Sequence, residues 1–122
     1  FEAKGKLKVA IANAAADMAT AQQEIEVRLA QLAAKGASRA SKEKLLADIQ
    51  KNMAAGREKI IKIYQDAKGK INVGGEEGKE QAEALDKAMA VQIRIQLEKM
   101  NEHRIRISRS LGQLSVSKNP GP

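Results

Sequence analysis

Three runs of apolar residues at spacings of three and four, separated by two glycine-bearing breaks, organise this chain. In the first run Ile11, Ala15, Met18, Gln22, Ile25, Leu29 and Leu32 fall on one side of a helix, because 3.6 residues per turn bring positions i, i+3 and i+4 together. Around that stripe sit Ala10, Ala12, Ala14, Ala16, Ala19, Ala21, Ala30, Ala33 and Ala34. Alanine favours helix intrinsically, and it also lets a second backbone approach closely. The alanines therefore read either as plain helix formers or as a tight contact surface for a helix outside this fold. The pattern predicts a first helix over residues 3–34.

The first break is Lys35-Gly36-Ala37-Ser38. Gly36 suits the position just past a helix end, and Lys35 sets positive charge beside the last carbonyls. Ser38 and Ser41 both offer caps for the next helix; Ser41 is preferred, since Glu43 and Lys44 follow at once and the apolar pattern begins at Leu45.

A second helix is expected over 42–71. Leu46, Ile49, Met53, Gly56, Ile60, Ile63 and Ala67 alternate spacings of three and four without a slip, a heptad seam of the kind that packs at a shallow angle against antiparallel neighbours. Gly56 is its anomaly, because glycine inside a helix costs about 0.5–1 kcal/mol relative to alanine. Either a neighbouring helix comes closest there or the helix is locally weak. Tyr64 lies beside the seam as a partly buried packing residue. Glu58 with Lys62 and Asp66 with Lys70 are four apart in the favourable order for intrahelical ion pairs.

The second break, Val73-Gly74-Gly75-Glu76-Glu77-Gly78, lacks the lysine and hydroxyl residue of a phosphate loop and carries two acids where an anion would have to sit. It reads as a turn whose glutamates favour the start of a third helix, over 77–111 and extending toward Leu114. The main stripe there is Leu85, Met89, Ile93, Leu97, Met100, Arg104, Ile107, Leu111 and Leu114, and Ala84, Ala88, Val91, Ile95 and Ile105 form a second apolar track. Residues 91–97 and 103–108 also alternate with a period of two, as half-buried strands do. Helix is preferred over strand because Glu98-Lys99-Met100-Asn101-Glu102 is no hairpin turn and the flanks are strong helix formers.

These lengths and short connections specify an all-α fold, an elongated antiparallel three-helix bundle running up, down and up with coiled-coil-like packing. The bundle domain occupies 1–114, and 115–122, ending Asn119-Pro120-Gly121-Pro122, is expected to be a flexible tail. Composition agrees: 43% of the 122 residues are apolar, yet Phe1 and Tyr64 are the only aromatics, so the core must be aliphatic.

The candidate chemistry is sparse. There is no cysteine, which excludes disulfides and thiolate metal sites. The single histidine, His103, has Glu102, Arg104 and Arg106 beside it and lacks the Glu-x-x-His spacing of helical metal sites, since position 100 is Met. It reads as a solvated or helix-end residue. No catalytic residue, cofactor or metal site is assigned, and no enzyme is expected. No apolar run reaches the roughly 18 residues of a membrane span. The sequence opens on Phe1 rather than Met, which leaves room for a leader or a preceding domain, and the compartment stays open.

The formal charge of +7 concentrates toward the end of the third segment, where Lys99, Arg104, Arg106 and Arg109 could contact an anionic partner. In a helix Lys99, His103, Arg106, Arg109 and Gln113 trace one polar stripe. Val91, Ile95 and Ile105 are the corresponding candidates for contact with another protein. In composition and periodicity, though in no single motif, the long Ala- and Gln-containing helices resemble those of secretion-apparatus components and of bacteriophage internal or tail proteins. The resemblance implies a structural or protein-interaction module within a larger assembly, whose partners are other subunits of its own or another kind. The alternative is a nucleic-acid-binding accessory protein with weak sequence preference, acting through the basic end of the third helix.

Overall fold

A computed structural model describes residues 2–114. It contains three helices, α1 Glu2–Lys35, α2 Arg39–Gly69 and α3 Gly75–Gln113, and no strand among the described residues. The periodic stretches 91–97 and 103–108 lie inside α3, as expected for helix. The expected tail, 115–122, lies outside the described residues.

The connections are made by glycine geometry and a serine cap. Gly36 takes φ 88, a left-handed conformation that favours glycine, and its N–H donates to the Leu32 carbonyl at 2.9 Å. Ser38, not Ser41, caps α2: its Oγ accepts the Ser41 N–H at 3.1 Å, and the Ser41 hydroxyl donates back to the Ser38 carbonyl at 2.9 Å. The helix consequently starts at Arg39, three residues before the expected Lys42. The second turn closes on Gly78, which is buried; a Cβ placed there would stand 2.0 Å from the Val73 carbonyl oxygen. Gly75, at φ 68, begins α3, with Glu76 and Glu77 in its first turn, where the helix dipole favours negative charge.

The three helices form a bundle in which α2 packs along both neighbours while α1 and α3 touch each other far less. Antiparallel order is visible in the ion pairs between α1 and α2. Moving up α1 from Asp17 to Arg28 moves the partner down α2 from Lys59 to Asp48, each pair closing at 2.8 Å. Lys68 and Asp86 join α2 to α3 at 2.9 Å. These pairs are partly exposed, so each contributes no more than about 1 kcal/mol. The intrahelical pairs Glu58–Lys62 and Asp66–Lys70 do not close; Lys59, Lys68 and Asp86 make contacts between helices instead, as does Asp48.

Among the described residues the core has two apolar clusters. Ala14, Met18, Ile60, Tyr64 and Met100 form one; Ile25, Leu45, Ile49, Ile107 and Leu111 form the other. Leu45, Ile49 and Ile107 are the largest fully buried side chains, and removing each from water is worth about 1.5–3 kcal/mol.

Along α2 the buried row is Leu45, Ile49, Gly56, Ile60 and Tyr64. Ile49, Gly56 and Ile60 are the expected seam positions, but at its ends Leu45 is buried deeper than Leu46, and Tyr64 deeper than Ile63. A heptad seam advances 3.5 residues per turn and an α-helix 3.6, so a row following the helix drifts off a strict seven-residue repeat. Gly56 lies where side chains from both flanking helices converge. A Cβ there would meet the Met18 sulfur at 3.0 Å and the Met100 sulfur at 3.4 Å. The glycine thus answers a close approach.

Candidate functional site

Between the two apolar clusters the bundle places a polar layer. Met18, Gly56 and Met100 meet on one side of it, and Ile25, Ile49 and Ile107 cluster on the other. The intervening turns bring Gln22 of α1, Asn52 of α2 and His103 of α3 to one small cavity of about 10 Å³, lined also by Ile25, Ile49, Met53 and Met100. Each helix supplies one polar side chain.

His103 is 7% exposed, which corrects the expectation of a solvated histidine. The helical step explains the difference. Met100 and Ile107 are both buried, and position 103, three after one and four before the other, shares their face. Arg104, assigned to the main stripe, is rotated off that face and stays partly exposed.

The ring's Nδ1 edge meets a pair of charges. Arg106 Nη2 lies 3.1 Å from Nδ1, and Glu26 Oε1 of α1 lies 3.6 Å from it; Arg106 and Glu26 form an ion pair with each other. Burial pushes the imidazole below its ordinary pKa, Glu26 opposes that shift, and Arg106 adds to it. The other ring nitrogen, Nε2, is buried without a hydrogen-bond partner among the described residues.

The basic residues named from the sequence differ in exposure and in partners. Lys99, Arg106 and Arg109 are exposed, but Arg106 is engaged by Glu26, and Arg104 donates from Nε and Nη2 to the Asn101 side-chain oxygen at 3.1 and 2.9 Å. His103, the centre of the expected polar stripe, faces inward. Elsewhere, Arg28 and then Lys44 hold the Asp48 carboxyl below the usual carboxylate range, and burial raises the Tyr64 phenol.

Of the three apolar candidates on α3, Val91 is 43% exposed and Ile105 36%, whereas Ile95 is partly buried. Exposed Glu98 and Glu102 interrupt the track between Ile95 and Ile105. The larger uncovered apolar side chains are on α1, where Val9 is 60% and Val27 55% exposed. With Ala12, Ala16, Ala19, Gln23, Ala30 and Ala34, all exposed, they trace an uncharged line opposite the Met18 and Ile25 face. The signal was present in the sequence as a second set of three and four spacings, overshadowed by the larger residues of the core stripe.

The grooves among the described residues enclose little. The grooves between α1 and α2 measure about 160 Å³, at Leu7, Ile63 and Ala67, and about 120 Å³, at Met18, Asn52 and Gly56. Both fall below the roughly 300 Å³ at which small-molecule sites begin. A broader depression of about 520 Å³ along Gly5, Lys6, Val9, Ala10 and Asn13 belongs to α1 alone, and one helix cannot surround a ligand. Among the described residues no group of three or more histidines and acids is placed to hold a metal ion, and no helix is long and apolar enough to cross a membrane. No family model, curated protein or solved structure matches this chain.

Proposed function

We propose that this chain is a non-enzymatic helical module that docks other protein subunits, as a component of a larger assembly such as a secretion apparatus or a phage particle. The observation that carries the reading is the outward line of α1, on which Val9 and Val27 stand 60% and 55% exposed with no charged residue between the alanines that join them. Val91 and Ile105 are further exposed apolar side chains, on α3. Small side chains along a rod permit close approach of another helix, and each buried methylene contributes about 0.8 kcal/mol to such contact.

The alternative, a nucleic-acid-binding accessory role for Lys99, Arg104, Arg106 and Arg109, draws less support. Two of its four cations are already engaged, by Glu26 and by Asn101, and no aromatic side chain stands among them to stack a base.

Sedimentation of the parent chain and of a V9E/V27E variant across a concentration series, alone and with the proteins that accompany it in its native source, tests the proposal. The expected result is an association that the parent shows and the variant loses with its helical spectrum intact. A parent that remains monomeric and binds none of those proteins would contradict it, as would a variant that associates equally well.

A further inference from the structure

The polar layer at His103 combines features that call for a ligand of definite size. Arginine is a donor only and does not lose its proton in proteins. With Arg106 Nη2 donating at 3.1 Å, His103 Nδ1 must therefore accept, and the neutral ring carries its proton on Nε2. Glu26 Oε1, at 3.6 Å from Nδ1, is too far to reverse that assignment. Nε2–H is then a buried donor with no acceptor among the described residues, in a side chain only 7% exposed. Leaving such a group unsatisfied is costly.

The cavity that His103 lines, about 10 Å³, has the volume of one water-sized sphere. Gln22 and Asn52 also line it, and each side chain carries a carbonyl oxygen and an NH₂ group. A buried water typically makes about three hydrogen bonds, and this site provides three polar side chains, one from each helix.

We infer that His103 Nε2, Asn52 and Gln22 bind one buried water molecule that ties α1, α2 and α3 together at this layer. The water accepts from the imidazole N–H and donates to the amide oxygens. Sliding one helix past the others by a turn would remove its polar side chain from the site and put an apolar one in its place. The bound water thereby favours one alignment of the three rods, a role known for single polar positions in helix seams.

Because the chain has one histidine, nuclear magnetic resonance of the full chain near pH 7 tests the inference without ambiguity. Long-range proton–nitrogen correlation should show the Nε2–H tautomer, and the ring protons should give rotating-frame Overhauser contacts to a water molecule. In a Q22L/N52L variant those water contacts should vanish while the contacts among Ile25, Ile49 and Ile107 persist. If that variant does not fold, the parent spectra decide. An Nδ1–H tautomer would overturn the inference, and so would an Nε2–H that couples directly to an amide oxygen with no contact to water.

Discussion

The Met18 sulfur lies 3.0 Å from the point where a Cβ on Gly56 would stand. This distance turns the one glycine of the α2 core row into a measure of packing between all three helices, since Met100 closes on the same point from α3 at 3.4 Å. Methionine is unbranched and can shift its thioether. Gly56→Ala should accordingly stay within about 1 kcal/mol of the parent, as the gain in helix propensity offsets the displacement of Met18. Gly56→Val should cost about 1–3 kcal/mol, because a branched side chain must displace both methionines. Urea denaturation of the two variants checks the contrast.

Gly78 differs in kind, because its close neighbour is backbone. The Val73 carbonyl oxygen, 2.0 Å from a Cβ at that position, cannot rotate away as a thioether can. Gly78→Ala should destabilise by about 1–3 kcal/mol through a forced shift of the 71–74 connection. Gly112→Ala, with nothing within 4 Å, should be neutral or stabilising by up to about 1 kcal/mol. Comparing thermal midpoints of the pair separates the loss of glycine's geometry from the general effect of adding a methyl group.

His103 makes stability depend on pH in a defined direction. Its folded pKa lies below the unfolded value of about 6.5, so the unfolded chain binds more protons in the window beneath that value. Stability should be fully present above pH 6.5 and fall as the solution is acidified, until the lowered folded value is passed. A His103→Gln variant should lack that slope. Asp48, whose folded pKa is also lowered, acts in a separate window: its contribution is present above about 3.8 and is lost as pH falls further through the folded value. Denaturation midpoints measured from pH 8 to pH 5 isolate the histidine from the carboxylate.

The two charges beside the imidazole should move its titration in opposite directions. Glu26 favours the protonated ring and Arg106 opposes it. Glu26→Gln should lower the His103 pKa further, and Arg106→Gln should raise it. The ring protons of the sole histidine report both shifts directly. Equal shifts in one direction would mean that the Glu26–Arg106 pair does not meet the Nδ1 edge of the ring as described.

Much of this architecture is legible in the amino-acid order. Gly36, Gly74 and Gly75 mark the ends of elements because backbone at positive φ or at a cap has few alternatives, and Ile49, Gly56 and Ile60 announce the inner face of α2 by spacing alone. The misses have physical sources. A seven-residue repeat and a 3.6-residue turn diverge with length, which is why Leu45 and Tyr64 displace Leu46 and Ile63 from the deepest positions. Hydrophobicity assigns Arg104 to a stripe by its neighbours and leaves His103 outside, whereas burial follows the face shared by Met100 and Ile107. Ser41 is favoured as the cap by the residues that follow it, and only the backbone shows that Ser38 is the one standing before the first helical turn. The polar layer could not be read at all from one segment, since Gln22, Asn52 and His103 come together only after three rods are aligned.

Methyl-resolved nuclear Overhauser spectroscopy of a chain labelled at isoleucine and methionine reports that alignment of the three rods. Contacts are predicted from Ile25 and Ile49 to Ile107 on one side of the polar layer and between Met18 and Met100 on the other, with the His103 ring close to Met53 and Met100 between them. A spectrum in which Ile107 touches neither Ile25 nor Ile49, or in which Met18 and Met100 are far apart, would rule out this packing.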